Sequence, residues 1–275
     1  MISRDRYRAR FRALKESSKG AFMPFTVLGW PDEETSFKII KTMIDNDASA
    51  LELGIAFSDP VADGPIIQAA AHQVIESGYT VDQALDLVAR VRKYNDDIPI
   101  GLLVYYNHIM AMGVEKFYAR AGECGVDGVL VADLPAECSD EIVSIATSND
   151  ISTIFIVSPL TREERLEKIV KHARGFIYLV SRLGVTGTDE RDASRDSRLT
   201  ALIASIKKAT DLPVLAGFGI STPVHAERMM VAGADGVITG SKIVDLVTKA
   251  NPEKIESELS AYLKEMVAAL NSVKV

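Results

Sequence analysis

One acidic residue interrupts an apolar segment that is typical of a buried strand. Glu52 lies within Leu51-Glu52-Leu53-Gly54-Ile55. Burying an ionised carboxylate among such side chains costs several kcal/mol unless it is paired, so burial would raise the Glu52 pKa and keep the acid form available near neutral pH. A general acid/base needs such a carboxyl group. The alternative is that Glu52 lies near the strand end and reaches water or pairs with Lys or Arg.

Two more carboxylates, Asp59 and Asp63, follow in a segment rich in Pro and Gly. Asp-Pro and Asp-Gly are common turn formers, so each residue taken alone is better explained as part of a turn. Two carboxylates in different environments can nevertheless hold different protonation states, as acid/base chemistry requires. The loop after Glu52 is therefore a candidate catalytic segment.

Two glycine-rich turns lie late in the chain, each after a strand-like segment. The first contains Gly217-Phe218-Gly219 and precedes Thr222-Pro223, a good helix N-cap followed by the favoured first helical residue. The second is Gly240-Ser241. Glycines let backbone N–H groups approach an anion, so the two turns together predict a phosphate site.

A charged segment with almost no apolar anchor covers residues 188–198, after Ser181-Arg182-Leu183-Gly184-Val185-Thr186-Gly187. Its composition predicts a mobile lid beside the phosphate site, with a disordered surface loop as the alternative.

Other kinds of active site have little support in the sequence. There is no serine-nucleophile elbow and no lysine at a strand end that could form a Schiff base. The histidines lack metal-ligand spacing, so we interpret them as surface or packing residues and predict no metal site. The residues concerned are His72, His108, His172 and His225.

The elements that must position these residues alternate along the chain between short apolar strands and segments of helical period. Eight strands are predicted, and such alternation requires a parallel sheet. We therefore predict an α/β fold, a single (β/α)₈ TIM barrel, with an open doubly wound sheet as the alternative. The predicted strands are 21–28, 48–55, 98–105, 128–133, 152–158, 176–181, 213–218 and 236–240.

Both termini add helices to this barrel. Tyr7, Phe11 and Leu14 recur at helical spacing among basic residues, which predicts an amphipathic helix packed on the barrel; a transit peptide or a polyanion-binding arm is the alternative. A long helix with an i, i+4, i+7 pattern ends the chain. Because no linker divides the sequence, we predict one domain over 1–275: the N-terminal helix in 1–20, the barrel in 21–241 and C-terminal helices in 242–275.

Composition narrows the possible partners. The 275 residues carry 31 Lys plus Arg against 38 Asp plus Glu, a net charge of −7. An acidic chain repels nucleic acid, so any phosphate must be held locally by backbone N–H groups. No apolar stretch is long enough for a signal peptide or a membrane span. With only Cys124 and Cys138, the sequence favours the reducing cytoplasm.

Four long segments resemble the tryptophan synthase α subunit family. They are Glu52-Leu53-Gly54-Ile55-Ala56-Phe57-Ser58-Asp59-Pro60-Val61-Ala62-Asp63-Gly64-Pro65, Leu130-Val131-Ala132-Asp133-Leu134-Pro135, Tyr178-Leu179-Val180-Ser181-Arg182-Leu183-Gly184-Val185-Thr186-Gly187 and Gly217-Phe218-Gly219-Ile220-Ser221. The resemblance implies cofactor-free retro-aldol cleavage of indole-3-glycerol phosphate to indole and glyceraldehyde 3-phosphate. Glu52 would protonate indole C3 and help to deprotonate the glycerol hydroxyl, and Asp63 would hold the indole N–H.

The same resemblance implies the rest of the site. Residues around the indole would be Phe25, Leu103, Leu130, Ile156, Tyr178 and Phe218. Phosphate would bind to Gly187, Gly219, Gly240 and Ser241, with Thr186 and Gly187 in the lid. A β subunit that uses pyridoxal phosphate, in an α₂β₂ heterotetramer, would face Asp59, Pro60, Asn107, Asp133 and Pro135. The chain itself would bind no cofactor, no nucleic acid and no membrane.

Two positions depart from the family pattern: Ala56 stands where many relatives have Pro, and Val27 where they often carry Thr. Alternatives to the assembled enzyme are a self-sufficient lyase that releases free indole and a barrel that has lost its chemistry and only activates the β subunit. The presence of both Glu52 and Asp63 counts against the latter. An unrelated phosphate-binding isomerase would not need the segment from Glu52 to Pro65.

Overall fold

Eight parallel strands form a closed barrel in chain order. The computed structural model describes residues 5–181 and 193–273, without the side chains of 193–196. Pairing of the first strand with the last, through Ala21 and Gly236, closes the barrel. The strands are β1 (Ala21–Val27), β2 (Leu51–Gly54), β3 (Ile100–Val104), β4 (Gly128–Val131), β5 (Ser152–Val157), β6 (Ile177–Val180), β7 (Val214–Gly217) and β8 (Gly236–Thr239).

The predicted barrel is confirmed, and the open sheet is wrong. Each predicted strand is present, although most are shorter than predicted at one or both ends. At β2, for example, residues 48–50 are buried without belonging to the strand. The apolar pattern records burial, whereas a strand also needs a neighbour's hydrogen bonds, and so the pattern overestimates strand length.

Twelve α-helices lie within the described residues, mostly on the outside of the barrel. None of them is long and apolar enough to cross a membrane. The helices are α1 (Arg6–Glu16), α2 (Glu33–Asp45), α3 (Pro65–Glu76), α4 (Val81–Tyr94), α5 (Tyr106–Met112), α6 (Val114–Glu123), α7 (Asp140–Ser148), α8 (Glu163–His172), α9 (Ala193–Ala209), α10 (Pro223–Val231), α11 (Ser241–Lys249) and α12 (Ile255–Ser272).

The predicted mobile segment at 188–198 is partly helical, because residues 193–198 form the beginning of α9. The remainder of that segment, with Thr186 and Gly187, lies outside the described residues.

Side-chain alternation along the strands separates two apolar cores. On β2, Leu51 and Leu53 pack outward in the large core between strands and helices, whereas Ala50, directly before the strand, belongs to a smaller core inside the barrel. Successive side chains of a strand point to opposite faces, so Glu52 points inward with Ala50. The barrel fold therefore places this carboxyl group in the barrel interior.

Helix α1 covers the N-terminal end of the barrel. Tyr7 is stacked on Phe11 and packs edge-on against Phe176, within the inner core. Arg6 donates a 2.8 Å bond to Asp127, which also accepts one of 2.7 Å from Arg92. The predicted amphipathic helix is thus present and fixed to the body of the barrel.

The last helix, α12, packs against α2 and α10 on the outside of the barrel. Its buried face repeats at helical spacing, as predicted, through Ile255, Leu259, Tyr262, Leu263, Met266, Ala269 and Leu270.

Candidate active site

Glu52 lies inside the barrel on β2 and is 3% exposed. Its strand neighbours in register are Phe25 on β1 and Gly101 on β3. Among the described residues its carboxyl group has neither an ion pair nor a hydrogen-bond partner, so burial of the charged form is uncompensated. Burial, with a smaller contribution from the nearby charge of Asp63, raises the Glu52 pKa to about 8. The carboxyl group is therefore mostly protonated at neutral pH and can act as an acid.

Asp63 lies at the end of the loop between β2 and α3 and is half-buried. Its carboxylate accepts a 3.0 Å hydrogen bond from the Tyr105 hydroxyl. Burial raises the pKa of Asp63, and the bond from Tyr105 acts in the opposite direction. The two carboxyl groups thus have different environments: Glu52 is buried without a partner, whereas Asp63 is half-exposed and has a donor.

Contacts among three residues outside the predicted site fix this loop: Phe57 within the loop, and Tyr105 and His108 after β3. Phe57 stacks on Tyr105, with 4.8 Å between ring centroids, and packs edge-on against His108 at 5.0 Å. The His108 ring is 3.1 Å from the Ala56 carbonyl oxygen through Nε2. Burial lowers the His108 pKa, and Nε2 is the donor in this contact because a carbonyl oxygen can only accept. The position of Tyr105 directly after β3, at the barrel end where chemistry is expected, was the available signal.

The six residues predicted to surround indole lie on six strands or directly after them. Leu103, Leu130, Ile156 and Tyr178 belong to the inner core or pack against it. Tyr178 is close enough to both carboxyl groups that, after burial, their charges help to raise its pKa. These residues occupy inward positions on β3, β4, β5 and β6, so they form one apolar wall facing Glu52.

Phe25 and Tyr178 fit because glycines face them. A Cβ on Gly54 or Gly240 would come within 2.8 and 2.9 Å of the Phe25 ring, respectively. A Cβ on Gly217 would lie 2.3 Å from the Tyr178 hydroxyl. These glycines therefore make room for two rings of the predicted indole site.

The turn after β7 has an unusual backbone. Phe218 and Gly219 have φ values of 69° and 86°, a conformation that is strained for Phe218. The Ser181 hydroxyl lies 2.9 and 2.7 Å from the carbonyl oxygens of Gly217 and Phe218. This contact ties the end of β6 to the turn that carries Gly219, a predicted phosphate residue.

Two helix N-termini lie beside this turn. Thr222 caps α10 by accepting a 3.3 Å bond from the backbone N–H of His225, as the Thr-Pro pair predicts. Gly240 and Ser241 begin α11. The first N–H groups of a helix have no partner within it and favour an anion. Gly219, Gly240 and Ser241 thus occupy two neighbouring strand ends, whereas the predicted phosphate residue Gly187 lies outside the described residues.

The residues predicted to face a partner lie around the same end of the barrel. Asp59, Asn107, Asp133 and Pro135 are exposed, and Pro60 is half-exposed. Exposed apolar side chains accompany them in the loops after β2 and β5 and on α5: Val61 is 82% exposed, Leu160 74% and Met110 53%. An apolar rim of this kind is typical of a protein-binding surface.

A cavity of about 560 Å³ lies elsewhere, at the N-terminal end of the barrel beside α1. Its lining includes Phe11, Lys15, Lys207 and Asp235. Lys207 is already paired with Asp235 at 2.8 Å, and none of the predicted site residues that the structure describes lines this cavity. We therefore assign the chemistry to the end of the barrel that carries Glu52.

Comparison with known proteins gives one consistent result. The family model for the tryptophan synthase alpha chain matches residues 11–271. The tryptophan synthase alpha chain of Methanoregula boonei is 48% identical over 256 residues, which cover 92% of this chain and 95% of that protein. A structure of tryptophan synthase subunit alpha from Legionella pneumophila superposes with a TM-score of 0.88 at 31% identity and covers 98% of this chain and 99% of that chain. A chain of a tryptophan synthase complex from Pyrococcus furiosus gives a TM-score of 0.80 at 33% identity, with coverage of 91% and 98%.

Proposed function

The chain belongs to the tryptophan synthase alpha chain family and is a lyase, and we propose that Glu52 and Asp63 catalyse its reaction, the cleavage of indole-3-glycerol phosphate into indole and glyceraldehyde 3-phosphate. One observation carries this assignment of roles. Glu52 is an unpaired, buried carboxyl group whose pKa is raised to about 8, and it lies on the same inner face of the barrel as the apolar wall of β3 to β6.

The protonated Glu52 carboxyl group delivers its proton to indole C3. The carbon–carbon bond between C3 and the glycerol chain then breaks, and its electron pair returns to the ring. The carbon that leaves becomes an aldehyde as its hydroxyl proton passes to the Glu52 carboxylate. The net change moves one proton from the hydroxyl to C3 and regenerates the acid form of Glu52, so no cofactor is required.

Asp63 stabilises the charge that this proton transfer creates. Protonation at C3 makes the indole ring cationic, and the positive charge extends to the ring N–H. An ionised carboxylate that accepts a hydrogen bond from this N–H stabilises the transition state more than the ground state. The Tyr105 hydroxyl on Asp63 supports this role because it favours the ionised form.

The other residues of the proposed site bind the indole ring and the phosphate of the substrate. The apolar wall and Phe25 accept the indole ring, and Phe218 closes that wall beside the phosphate turns. Backbone N–H groups of Gly219 and Gly240, with the Ser241 hydroxyl, bind the phosphate without a basic patch. Thr186 and Gly187 would complete the phosphate site and the lid.

The exposed rim, with Asp59, Pro60, Asn107, Asp133 and Pro135, binds a tryptophan synthase β subunit in an α₂β₂ heterotetramer. Exposed Val61 and Leu160 support this assignment, as does the similarity to a chain of a Pyrococcus furiosus complex. Pyridoxal phosphate belongs to that partner, which receives the indole. Two free thiols, one of them exposed, suit a cytoplasmic location.

Indole release from indole-3-glycerol phosphate, measured with and without a β subunit, tests the proposal. We expect slow cleavage by the chain alone, marked acceleration by the partner and near-complete loss in Glu52→Gln. The matched control is Glu115→Gln, on the exposed face of α6, which should keep full activity.

The same measurement separates the alternatives. Fast cleavage that a β subunit does not change would indicate a self-sufficient lyase. No cleavage together with activation of the β subunit would indicate a barrel without chemistry. Unchanged turnover in Glu52→Gln would overturn the catalytic assignment.

A further inference from the structure

Tyr105 contacts the Asp63 segment at two atoms. Its hydroxyl donates to the Asp63 carboxylate at 3.0 Å and accepts a 3.1 Å bond from the backbone N–H of Ala62. Both bonds use one oxygen, so the hydroxyl fixes the backbone before Asp63 and the side chain of Asp63 together. The two partners lie 42 and 43 residues away in the sequence, on a loop that has no strand or helix of its own.

Tyr105 is itself held rigidly. It is 1% exposed, its ring stacks on Phe57, and it directly follows β3 and precedes α5. On the other side of Phe57, His108 bonds to Ala56 at the start of the same loop. The segment from Tyr105 to His108 therefore holds both ends of the loop, and among the described residues only Tyr105 bonds to the Asp63 carboxylate.

We propose that Tyr105 is the positioning residue of the lyase reaction: its hydroxyl aims the Asp63 carboxylate at the indole N–H and keeps it ionised. This inference rests on the role proposed for Asp63. Tyr105 acts through Asp63 and does not itself touch the reacting atoms. Without the hydroxyl, Asp63 loses its donor and the N–H of Ala62 loses its acceptor, although the ring can still stack on Phe57.

The charge environment of Asp63 sets the expected pH dependence. The titratable groups that face it are Glu52 on β2, Tyr105 after β3 and Tyr178 on β6. Asp133, after β4, adds negative charge near Tyr105, and Asp59 lies exposed on the same loop. Within the part of the chain that the structure describes, these groups are acidic or neutral, and the Tyr105 hydroxyl is the group that favours the ionised form. Its removal raises the pKa of Asp63 and lowers the ionised fraction at a given pH.

The test is Tyr105→Phe, assayed as kcat and KM for indole-3-glycerol phosphate between pH 5 and 9. A hydrogen bond to a charged group contributes enough for a loss of roughly tenfold to hundredfold in kcat/KM. We expect a loss of this size near pH 6, mostly in kcat, a smaller loss near pH 8 and an acidic limb displaced to higher pH. The matched control is Tyr118→Phe, which removes a buried hydroxyl on α6 that has no hydrogen-bond partner among the described residues.

A second measurement does not depend on cleavage. NMR titration of the ¹³C-labelled Asp63 carboxyl group should give a higher midpoint in Tyr105→Phe than in the unmodified chain and in Tyr118→Phe. If Tyr105→Phe does not fold, difluorotyrosine incorporated at position 105 keeps the ring and hydroxyl and is a stronger donor. It should lower the Asp63 midpoint.

The outcomes are distinguishable. Suppose that the unmodified chain cleaves the substrate and that Tyr105→Phe has the same pH profile and the same Asp63 midpoint as the unmodified chain. This result would overturn the inference about Tyr105. Absence of cleavage by the unmodified chain, with or without a β subunit, would overturn the proposed function instead. The Asp63 midpoints would then still decide whether Tyr105 sets the ionisation of that residue.

Discussion

At the scale of single residues, Glu52 and Asp63 are neighbouring carboxyl groups whose different surroundings favour different protonation states. Glu52 has no partner among the described residues and is buried, so its acid form is favoured. Asp63 is half-exposed and bonded to Tyr105, which opposes the effect of burial. An acid and an anion can therefore coexist at the same pH, which is the combination that protonation of a ring carbon requires.

The Glu52 pKa predicts an alkaline limit to activity. Because the free enzyme must carry the proton that goes to C3, kcat/KM should fall as pH rises through about 8. A pH profile of indole release measures this limb. A profile that stays flat to pH 10 would contradict the assignment of Glu52 as the acid.

The same raised pKa predicts that the Glu52 carboxyl group, which we propose is needed for activity, lowers the stability of the fold as pH rises. Between the ordinary pKa of 4.5 and the folded value of about 8, the folded chain holds a proton that the unfolded chain releases, so stability falls as pH rises. At 1.36 kcal/mol per pKa unit, the loss is on the order of 3 kcal/mol by pH 7.

Glu52→Gln should therefore be inactive yet more stable, with an advantage in Tm that grows from pH 5 to pH 8. Thermal unfolding of both proteins across this range measures the difference, with Glu115→Gln as the control. An advantage that does not change with pH would show that burial of the charged form is not the cause.

At the scale of elements, the strand ends use glycine for space as well as for backbone N–H groups. Gly54 and Gly240 border the Phe25 ring, and Gly217 borders Tyr178. The glycine-rich strand ends thus make room for rings of the proposed indole wall and also carry the N–H groups of the proposed phosphate site.

Gly217→Ala should displace Tyr178, because the added Cβ would lie 2.3 Å from its hydroxyl. Overpacking of this kind costs about 1–3 kcal/mol. We expect a lower Tm and a higher KM for indole-3-glycerol phosphate. Gly122→Ala on α6 is the control, since its nearest neighbour would be 3.3 Å away. Equal KM values in the two variants would argue against crowding of the indole wall.

Asp127 joins three elements at the opposite end of the barrel. It pairs with Arg6 on α1 and Arg92 on α4, and it accepts a 2.8 Å bond from the backbone N–H of Ile100 on β3. The Asp127 side chain is 6% exposed. The position of α1 therefore depends on a buried ionic cluster as well as on the aromatic contacts of Tyr7.

Asp127→Asn should lower the free energy of unfolding by about 3 kcal/mol, because it leaves two partly buried arginines without their counter-charge. Denaturant unfolding measures this loss. Asp86→Asn removes the exposed partner of Arg120 and should cost less than about 1 kcal/mol. Similar losses in the two variants would contradict a special role for the buried cluster.

At the scale of the whole molecule, the site faces the surface that we assign to a partner. Tyr106, the first residue of α5, donates its backbone N–H to Asp133, a predicted interface residue, at 2.8 Å. Tyr105 is the preceding residue and holds Asp63. A β subunit bound to Asp133 and Asn107 would therefore contact the segment between β3 and α5. This segment includes Tyr105, which bonds to the Asp63 carboxylate that we propose to be catalytic.

We expect the chain and a β subunit to form a complex with the mass of α₂β₂ in light scattering, with indole release rising on mixing. Leu160→Glu places a charge on the apolar rim outside the barrel interior, so it should weaken the complex while the slow activity of the isolated chain remains. A Leu160→Glu chain that still forms the full complex at equal affinity would indicate a different docking surface.

The sequence by itself determined the elements and pointed to the residue that we propose as the acid. Period-two and helical patterns, together with a Thr-Pro cap, are properties of neighbouring residues, so they located the eight strands, both terminal helices and the start of α10. Glu52 was also visible locally, as one carboxyl group among apolar neighbours. Residues implied by family resemblance then lay at the same barrel end as Glu52, apart from Thr186 and Gly187, which lie outside the described residues.

Only the tertiary structure decided which groups modify one another. The bond from Tyr105 to Asp63 spans 42 residues, and the ion pair between Arg6 and Asp127 spans 121. Neither contact produces a periodic pattern in the sequence, because each depends on closure of the barrel and not on the spacing of neighbouring residues. The same closure places Glu52 inside the barrel away from any described cation, and it thereby sets the pKa on which the proposed chemistry depends.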